Sequence, residues 1–296
     1  MLAVRSALAQ TLVPGQVLVL CDGCTDGTAD AVAALGDPRA IALDLAKGPG
    51  YAYAHRNLAL ERAATDFVVY MGDDDLLLPD HLEQMAAVAD GADLVCTPAV
   101  VVDPDDGLTW IGADWSVPEA RERMETLANS NVMASVAIRA ATARAAGGWD
   151  GAVERAGDWD LWRRATKAGA RAVATDRPTV LHFKATGRDQ PWPDRVAQNA
   201  RWLALLEDPR ALSALRPRLA RTRYEHEARH AAELDRCRKM VAELSDELSR
   251  VHRAYASQET FATEQRTWIA NAEALLAEYR DYIAELEATV EELRDP

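Results

Sequence analysis

Three consecutive carboxylates, Asp73, Asp74 and Asp75, follow an apolar run in the first third of the chain. Adjacent carboxylates repel one another unless a cation lies close, and their hard oxygens suit Mg²⁺ or Mn²⁺, which also bridge to substrate phosphates. The alternative is an acidic cluster at the start of the helix that begins near Pro79, with Asp75 or Asp80 as its cap. The residue types therefore predict either a divalent-cation site or a capped helix.

Asp158 is a candidate general base, because it stands at the start of the amphipathic segment Gly157–Trp162. The N-terminus of a helix keeps a carboxylate ionised, and an ionised carboxylate can accept the proton of an attacking hydroxyl. The alternative is a helix cap followed by core tryptophans, which the local chemistry alone favours.

His182 ends a strand-like segment, Thr-Val-Leu-His. A neutral imidazole at that point can ligate a metal. A partly buried structural histidine is the alternative, and the segment alone does not choose between the two.

Residues 21–28, Cys-Asp-Gly-Cys-Thr-Asp-Gly-Thr, have the composition of a tight turn. Asp22 and Asp26 can fold an Asx-type turn, and the glycines let a backbone pass close to a ligand. A strand-to-helix turn without a ligand is the alternative. Cys21 and Cys24 form a C-x-x-C pair, which is typical of redox chemistry or half a zinc site. Two further ligands at matching spacing are absent from the sequence, so we interpret the pair as free thiols in a reducing cytoplasm.

Short strands that alternate with helices must position these residues. This alternation predicts an α/β sheet with helices on both faces, and ligands of such sheets bind beyond the carboxyl ends of the strands. Both acidic groups follow predicted strands, so we expect the site at that edge. The predicted strands are 16–20, 41–43, 67–71, 94–96 and 132–138, and the predicted helices are 2–12, 28–35, 51–64 and one that begins at Pro79.

The chain changes character after about residue 205, where Pro209 and Pro217 interrupt it. Apolar residues then recur at heptad spacing, which predicts a coiled coil, with a break or a hairpin between Gln258 and Asn271. A long helix that folds back on the globular domain is the alternative. The first predicted seam is Leu234, Cys237, Val241, Leu244, Leu248, Val251 and Tyr255, and the second is Leu275, Tyr279, Tyr282, Leu286 and Leu293.

The composition bounds the function class. The 296 residues carry a net charge of -14, which excludes a general affinity for nucleic acid. No stretch has the length of a transmembrane helix, and the N-terminus lacks the order of a signal peptide. We therefore expect a cytoplasmic protein, either free or peripheral to the inner face of the membrane.

Taken together and in order, these segments resemble the family 2 inverting glycosyltransferases. The family's signature strand ends in Asp-Asp-Gly-Ser-Thr-Asp-Gly-Thr, to which residues 21–28 correspond. The other matches cover about two thirds of the chain. They are Ser-Ala-Leu-Ala-Gln-Thr at 6–11, Gly50 with Ala-His-Arg-Asn at 54–57, the strand and acidic motif at 67–79, Gly-Gly-Trp-Asp at 147–150 and Gly-Asp-Trp-Asp-Leu-Trp at 157–162.

The resemblance implies the GT-A fold, a Rossmann-like mixed sheet with flanking helices, followed here by the α-helical coiled coil. It implies a metal-dependent hexosyltransferase that moves a sugar from a UDP-, GDP- or dTDP-sugar to an acceptor hydroxyl with inversion. The acceptor would be a glycan, a lipid-linked sugar, a protein or a small molecule. Trp110, Trp115 and Trp192 are candidates for stacking on an acceptor sugar or, equally, for packing.

The resemblance also implies a role for each matched residue. Asp158 would be the catalytic base. The nucleotide-sugar site would comprise Asp22 at the base, Asp73 at the ribose, and Asp26 and Asn57. The metal site for Mg²⁺ or Mn²⁺ would comprise Asp74, Asp75 and His182.

Three departures from the family pattern bear on activity. The family's first strand has no counterpart, so either the true start lies upstream of Met1 or the domain is reduced. Gly72 stands where the family has the first Asp of its acidic motif, and Gly157 stands where it has a Glu.

These departures keep a second hypothesis open, an inactive glycosyltransferase-like scaffold that acts through its coiled coil. A nucleotidyltransferase is a third, but the basic, glycine-rich phosphate loop that it needs is absent. We predict a glycosyltransferase domain over 1–205, a helical linker over 206–232 and a coiled-coil tail over 233–294 that binds a second copy or a partner protein.

Overall fold

The computed structural model of the chain describes residues 1–50, 52–183, 194–255 and 263–294. They form two compact units, Met1–Arg223 and Tyr224–Pro296. The first unit therefore includes the part of the predicted linker that precedes Tyr224. In the described part of the chain, no helix is both long and apolar enough to cross a membrane.

The described residues contain ten α-helices, ten strands and a short 3₁₀ turn at Met133–Ser135. The helices are α1 (Leu2–Leu8), α2 (Thr28–Ala33), α3 (Tyr53–Arg62), α4 (His81–Val88), α5 (Pro118–Thr126), α6 (Ala140–Ala145), α7 (Gly157–Lys167), α8 (Arg195–Glu207), α9 (Pro209–Tyr255) and α10 (Thr263–Arg294). The strands are β1 (Val17–Asp22), β2 (Ala40–Leu45), β3 (Phe67–Val69), β4 (Leu76–Leu77), β5 (Leu94–Cys96), β6 (Ala99–Val102), β7 (Leu108–Ile111), β8 (Val136–Arg139), β9 (Ala172–Ala174) and β10 (Val180–His182).

The strands form three sheets of two, four and four strands, rather than the single predicted sheet. β1 and β2 pair in parallel, from Val17 with Ala40 to Asp22 with Leu45. A second sheet has the order β3-β8-β5-β9, in which β8 runs antiparallel to β3 and β5. The third has the order β4-β10-β6-β7. Parallel and antiparallel pairs thus occur together, and helices flank the sheets.

The core lies around the second sheet. All three residues of β5 are buried, as are Val136, Ala137 and Ile138 of β8. Such continuous apolar runs suit strands that are covered on both faces. Ile138 packs in one cluster with Trp115 and Trp162, and the rings of these two tryptophans lie 5.3 Å apart. This core supports α7, whose first turn carries Asp158.

The predicted helix 2–12 and the predicted strand 132–138 are shorter in the structure because other hydrogen bonds compete with them. The predicted helix 2–12 ends at Leu8, and Gln10 beyond it donates to Leu78 O at 2.9 Å and accepts from Leu82 N at 3.0 Å. The predicted strand 132–138 begins with a 3₁₀ turn, in which Ser135 Oγ donates to Val132 O at 2.8 Å.

Helix α9 continues through Pro217, contrary to the predicted interruption. An internal proline removes one helical hydrogen bond and costs about 3 kcal/mol. Leu215 and Leu219 on either side of it are buried in the cluster that contains Leu76 and Phe183. Their packing offsets the cost, and Pro209 lies at the first helical position, where proline is tolerated.

The second unit is an antiparallel helical hairpin made of the later part of α9 and of α10. Leu234 and Cys237 of α9 are buried against Leu286, with Ile283 and Val290 packed beside them. This confirms the predicted burial of Leu234, Cys237 and Leu286. The side chains of Tyr255 and Leu293 lie outside the described part of the chain.

The predicted seam of α10 is wrong at two positions. Leu275 and Tyr282 are 41% and 40% exposed, whereas Leu276 is 4% exposed and Ile283 packs in the hairpin core. Both rows follow three-four spacing through Tyr279 and Leu286, so the sequence pattern fits either one. The hairpin partner α9 covers only one of them.

Candidate functional site

The acidic turn after β3 joins the third sheet through an Asp–His contact. β10 pairs antiparallel with β4, with Leu181 opposite Leu76. The next pair along this register is Asp75 and His182, and Asp75 Oδ1 lies 2.7 Å from His182 Nδ1. Asp75 is 2% exposed. The strand pairing thus explains why two of the predicted metal ligands meet.

Asp74 is held by α8, which the sequence analysis did not assign to the site. Arg195 Nη2 lies 3.0 Å from Asp74 Oδ2, and one turn later Asn199 Nδ2 donates to Asp74 O at 2.7 Å. Burial raises the pKa of Asp74, the neighbouring Asp75 raises it further, and Arg195 opposes both effects. Helix α8 therefore fixes both the backbone and the carboxylate of Asp74.

Gly72 leaves a space that the two following carboxylates occupy. A Cβ atom at Gly72 would lie 2.7 Å from Asp74 Oδ1 and 3.4 Å from Asp75 Oδ2. The oxygens of Asp74 and Asp75 therefore converge over this glycine. An aspartate at position 72, which the family has, would therefore displace the side chain of Asp74 from its present position.

The predicted ligand set of Asp74, Asp75 and His182 is assembled in part. Asp75 and His182 touch, whereas Asp74 faces Arg195. Among the described residues, no group of three or more His, Cys, Asp and Glu side chains could hold a metal ion.

Asp22 lies at the carboxyl end of β1, where a second cluster forms. Because β1 and β2 are parallel, the residues that follow β2 reach the same edge. Asp22 accepts hydrogen bonds from Lys47 Nζ and from Gly48 N, the latter at 2.6 Å, and His55 Nδ1 lies 3.1 Å away. The Gly48 N–H and then Lys47 hold the pKa of Asp22 below its usual value. Asp22 is thus an ionised carboxylate at the edge where a ligand is expected.

Asp26 has a local structural contact in the same turn. Its Oδ1 accepts hydrogen bonds from Thr28 Oγ1 at 2.6 Å and from Thr28 N at 3.1 Å, which together lower its pKa. This is the predicted Asx-type turn, and it caps the start of α2. Cys21 and Cys24 are free, and burial raises the pKa of Cys21.

Asn57 bonds to the protein backbone with both ends of its amide. Asn57 Nδ2 donates to Trp149 O at 2.8 Å, and Trp149 N donates to Asn57 Oδ1 at 2.7 Å. Gly148 allows this approach, because a Cβ there would lie 2.4 Å from Asn57 Oδ1. Asn57 therefore positions the Gly-Gly-Trp-Asp turn, and direct contact of Asn57 with a donor stays a prediction.

Asp158 lies in the first turn of α7, partly buried. Burial raises its pKa, while the N–H groups of Trp159 and of Asp158 itself, and the charge of Arg56, oppose the rise. The sequence argument named only the helix N-terminus, but burial has the larger effect. A carboxylate with a raised pKa is a stronger base than a free aspartate once it is ionised.

Gly157, before Asp158, makes room for an aromatic ring. A Cβ at Gly157 would lie 2.5 Å from Tyr53 Cζ, and Gly157 N donates to Tyr53 Oη at 3.1 Å. The ring of Tyr53 stacks on that of Trp149 at 5.5 Å. Tyr53 thus occupies the space that the family's glutamate side chain would need.

Arg56 faces Asp158 from α3. Its guanidinium lies 4.5 Å from the ring centroid of Trp149 and 5.6 Å from that of Tyr53. Burial lowers the pKa of Arg56, and Asp158 opposes this effect. Arg56 is thus a partly buried cation whose charge acts on Asp158.

The first turns of α3 connect these clusters. Tyr53, Arg56 and Asn57 contact the Asp158 region, and His55 lies beside Asp22. Tyr70, just before the acidic turn, meets Trp149 edge-to-face at 4.8 Å. The matched segments therefore lie around one region of the first unit.

Sequence reasoning missed Lys47, His55, Arg56, Arg195 and Asn199. Arg56 and His55 lay inside a matched segment, which was the available signal. Arg195 and Asn199 lie in α8, outside every matched segment, so no signal in the sequence pointed to them. Trp110 and Trp115 are buried, 4% and 0% exposed, so they pack in the core, and Trp192 lies outside the described residues.

Sequence comparisons relate this chain to known glycosyltransferases. The family model described as glycosyl transferase family 2 matches residues 2–146. The succinoglycan biosynthesis protein ExoO of Rhizobium meliloti is 41% identical over 92 residues, which cover 30% of this chain and 26% of ExoO. The uncharacterised glycosyltransferase YwdF of Bacillus subtilis is 25% identical over 215 residues, 71% of this chain and 79% of YwdF.

Solved structures agree on the fold. S. aureus TarS 1–349 in complex with UDP has a TM-score of 0.51 at 19% identity, and covers 69% of this chain and 60% of its own. The same protein with UDP-GlcNAc has a TM-score of 0.50 at 20% identity, with 69% and 61% covered. The alignment thus spans about a quarter of ExoO and less than two thirds of TarS 1–349. The family model therefore identifies residues 2–146 as a glycosyl transferase family 2 domain, and the relatives and the fold agree with it.

Proposed function

We propose that the chain transfers a sugar from a nucleoside-diphosphate donor to an acceptor hydroxyl with inversion at the anomeric carbon. The observation that carries the proposal is Asp158, a partly buried carboxylate of raised pKa at a helix start, matched to the family's catalytic position. The nearby matched clusters around Asp22 and Asp73–Asp75 supply groups for a donor.

In the proposed donor site, Asp22 receives the nucleotide base and Asp73 the ribose. The charge-assisted bonds to Lys47 and Gly48 keep Asp22 ionised and fixed, so it accepts hydrogen bonds from a base without rearrangement. Lys47, whose side chain is 68% exposed, is also available to a phosphate.

The convergence of two carboxylates supports a divalent-cation site that the substrate completes. Oxygens of Asp74 and Asp75 converge over Gly72, and His182 already touches Asp75. Mg²⁺ and its like are usually bound by one or two carboxylates plus substrate phosphates, so a complete protein cage is not required. Asp74 and Asp75, with His182 against Asp75, would hold Mg²⁺ or Mn²⁺ only together with phosphate oxygens of the donor, and the bound cation would neutralise charge on the leaving diphosphate.

Asp158 performs the proposed proton transfer. Its carboxylate takes the proton from the acceptor hydroxyl while that oxygen bonds to the anomeric carbon. The bond from this carbon to the diphosphate oxygen breaks, and its electron pair leaves with the diphosphate. The acceptor oxygen attacks the face opposite the leaving diphosphate, so the configuration at the anomeric carbon is inverted. The N–H groups of Trp159 and Asp158 and the charge of Arg56 favour the ionised form of Asp158 that this step needs, against the effect of burial.

An inactive scaffold is the second candidate, and one observation favours it. Asp74 pairs with Arg195, so a protein cation occupies part of the carboxylate's coordination. In that case the tail would be the working part of the chain.

Release of nucleoside diphosphate from a panel of UDP-, GDP- and dTDP-sugars tests the proposal, with water or an added hydroxyl compound as acceptor. We expect release from one nucleotide class, and a loss of at least 100-fold in Asp158→Asn without loss of nucleotide binding. Asp176→Asn, at an exposed aspartate paired with Arg177, is the matched control and should stay active. Equal rates for Asp158→Asn and the wild type would exclude Asp158 as the base.

A further inference from the structure

Helix α10 carries two apolar rows, and the hairpin covers one of them. The covered row contains Leu276, Ile283 and Leu286, which face α9. A two-stranded coiled coil needs only such a narrow seam, whereas a helix in a bundle carries a wider face with a third apolar position per heptad. α10 has that wider face.

The second row consists of Trp268, Leu275 and Tyr282, spaced by seven residues. Their exposed fractions are 47%, 41% and 40%. At about 100° per residue these three side chains lie within about 20° of one line along the helix. Scattered single apolar residues on a surface are ordinary, but a heptad row is a packing face. We call this row the outer stripe.

The outer stripe and the ion pairs of the hairpin lie on opposite sides. Arg238 pairs with Glu287, and His252 Nε2 lies 3.9 Å from Glu273. By helical position both pairs lie to one side of the seam, and the outer stripe lies to the other. Met240 of α9, 39% exposed, falls on the side of the outer stripe. The hairpin is therefore polar along one side and apolar along the other.

We propose that the outer stripe binds the outer stripe of a second copy of this chain, so that two hairpins form an antiparallel four-helix bundle. The two-fold axis passes close to Leu275, which meets its own counterpart.

The spacing of the stripe favours a second copy over an unrelated partner. A two-fold interface must be self-complementary. Trp268 and Tyr282 lie seven residues to either side of Leu275, so the axis brings each Trp268 against the partner's Tyr282, an aromatic pairing that adds stability beyond burial. The same axis brings Asn271, a hydrogen-bond donor, beside the partner's Glu278, an acceptor. Both residues are exposed in the single chain.

The size of the face also fits. A helix of 32 residues, such as α10, is about 48 Å long. Antiparallel copies centred on Leu275 overlap over residues 263–287, about 38 Å. A face of that length and about two helices wide, at 8–10 Å per helix, offers roughly 700 Å² per copy, within the range of standard stable interfaces.

Light scattering on the full chain tests the proposal. We expect a dimer for the wild type, and a monomer for the triple variant Trp268→Glu, Leu275→Glu and Tyr282→Glu. The matched control places three glutamates at the same spacing on the opposite side of α10, as Ala270→Glu, Ala277→Glu and Ala284→Glu, where all three alanines are exposed. The control should remain a dimer, and both variants should retain the helical content of the wild type by circular dichroism. A monomeric wild type, or a stripe variant that stays dimeric, would overturn the proposal.

Cysteine cross-linking tests the geometry without disrupting the fold. In a Cys24→Ser background, Leu275→Cys should form a disulfide-linked dimer on oxidation with a low-molecular-weight disulfide. Trp268→Cys and Tyr282→Cys should cross-link when mixed, but neither alone. Self-linking of each variant alone would indicate parallel helices and would contradict the antiparallel bundle.

Discussion

Gly157→Ala should destabilise the first unit, although it adds a single methyl group to a helix. A Cβ at this position would lie 2.5, 2.7 and 2.9 Å from Cζ, Cε1 and Cε2 of Tyr53. Tyr53 is 6% exposed and stacked on Trp149, so its rigid ring has no free space to enter. Overpacking of this kind costs about 1–3 kcal/mol.

The assay is thermal and denaturant unfolding of the purified chain. A loss of ~2 kcal/mol lowers the Tm of a unit of this size by roughly 4–8 °C. Gly151→Ala is the matched control, because nothing lies within 4 Å of a Cβ there. That variant should be neutral or stabilised by up to about 1 kcal/mol.

A double-mutant cycle isolates the cause. Tyr53→Ala removes the ring and costs about 3–5 kcal/mol by itself. In that background Gly157→Ala should cost almost nothing, which gives a coupling free energy of about 2 kcal/mol between the two positions. Additive costs, or a Gly157→Ala variant as stable as Gly151→Ala, would refute the claim that Tyr53 fills the space of the family's glutamate.

Three further outcomes follow from the contacts of the first unit. Arg56→Met removes a cation whose charge lowers the pKa of Asp158, so this pKa rises and the acid limb of the kcat/KM pH profile should move to higher pH; an unmoved limb would contradict the role of Arg56. Asn199→Ala removes the hydrogen bond to the backbone of Asp74, worth about 1 kcal/mol, so calorimetry should show about fivefold weaker nucleotide binding, with an unchanged Kd for the control Asp176→Ala. His81 is fully buried, and burial lowers its pKa from 6.5 to about 4, so the folded state resists the proton that the unfolded chain accepts. The free energy of unfolding should therefore fall as the pH drops from 6.5 towards 4, by ~2 kcal/mol at pH 5, and His81→Gln should flatten this dependence in urea titrations.

The parts of the fold that follow from local sequence could be predicted. The strand at 94–96 is a run of buried apolar residues, and the Asx turn at Asp26 depends on a bond to Thr28, two residues away. The proposed catalytic position and the acidic positions were predicted from segments matched in order, and their roles stay predictions. Each of these features depends on residues that are close together in the sequence.

The partners of the site residues could not be predicted, because they come from distant segments. Arg195 reaches Asp74 across more than a hundred residues, and Lys47 meets Asp22 only because β1 and β2 are parallel. The seam of α10 failed for a different reason. Two apolar rows share Tyr279 and Leu286, and only the position of α9 decides which row is buried.

The two glycine departures share one explanation. At Gly72 and at Gly157, another side chain of this chain fills the space that the family's carboxylate side chain would take. Asp74 occupies the first space and Tyr53 the second. The sequence lacks two of the family's carboxylates. In the structure, the side chains of Asp74 and Tyr53 pack against the two glycines that replace them.

Calorimetric titration with UDP, GDP and dTDP, with and without Mn²⁺, tests the central claim most directly, because it asks whether the matched clusters form a donor site. We predict Mn²⁺-dependent binding of one nucleotide, lost in Asp74→Ala and retained in Asp176→Ala. Absence of binding for all three nucleotides, or binding that Asp74→Ala leaves unchanged, would contradict the assignment of the acidic turn to a nucleotide-sugar site.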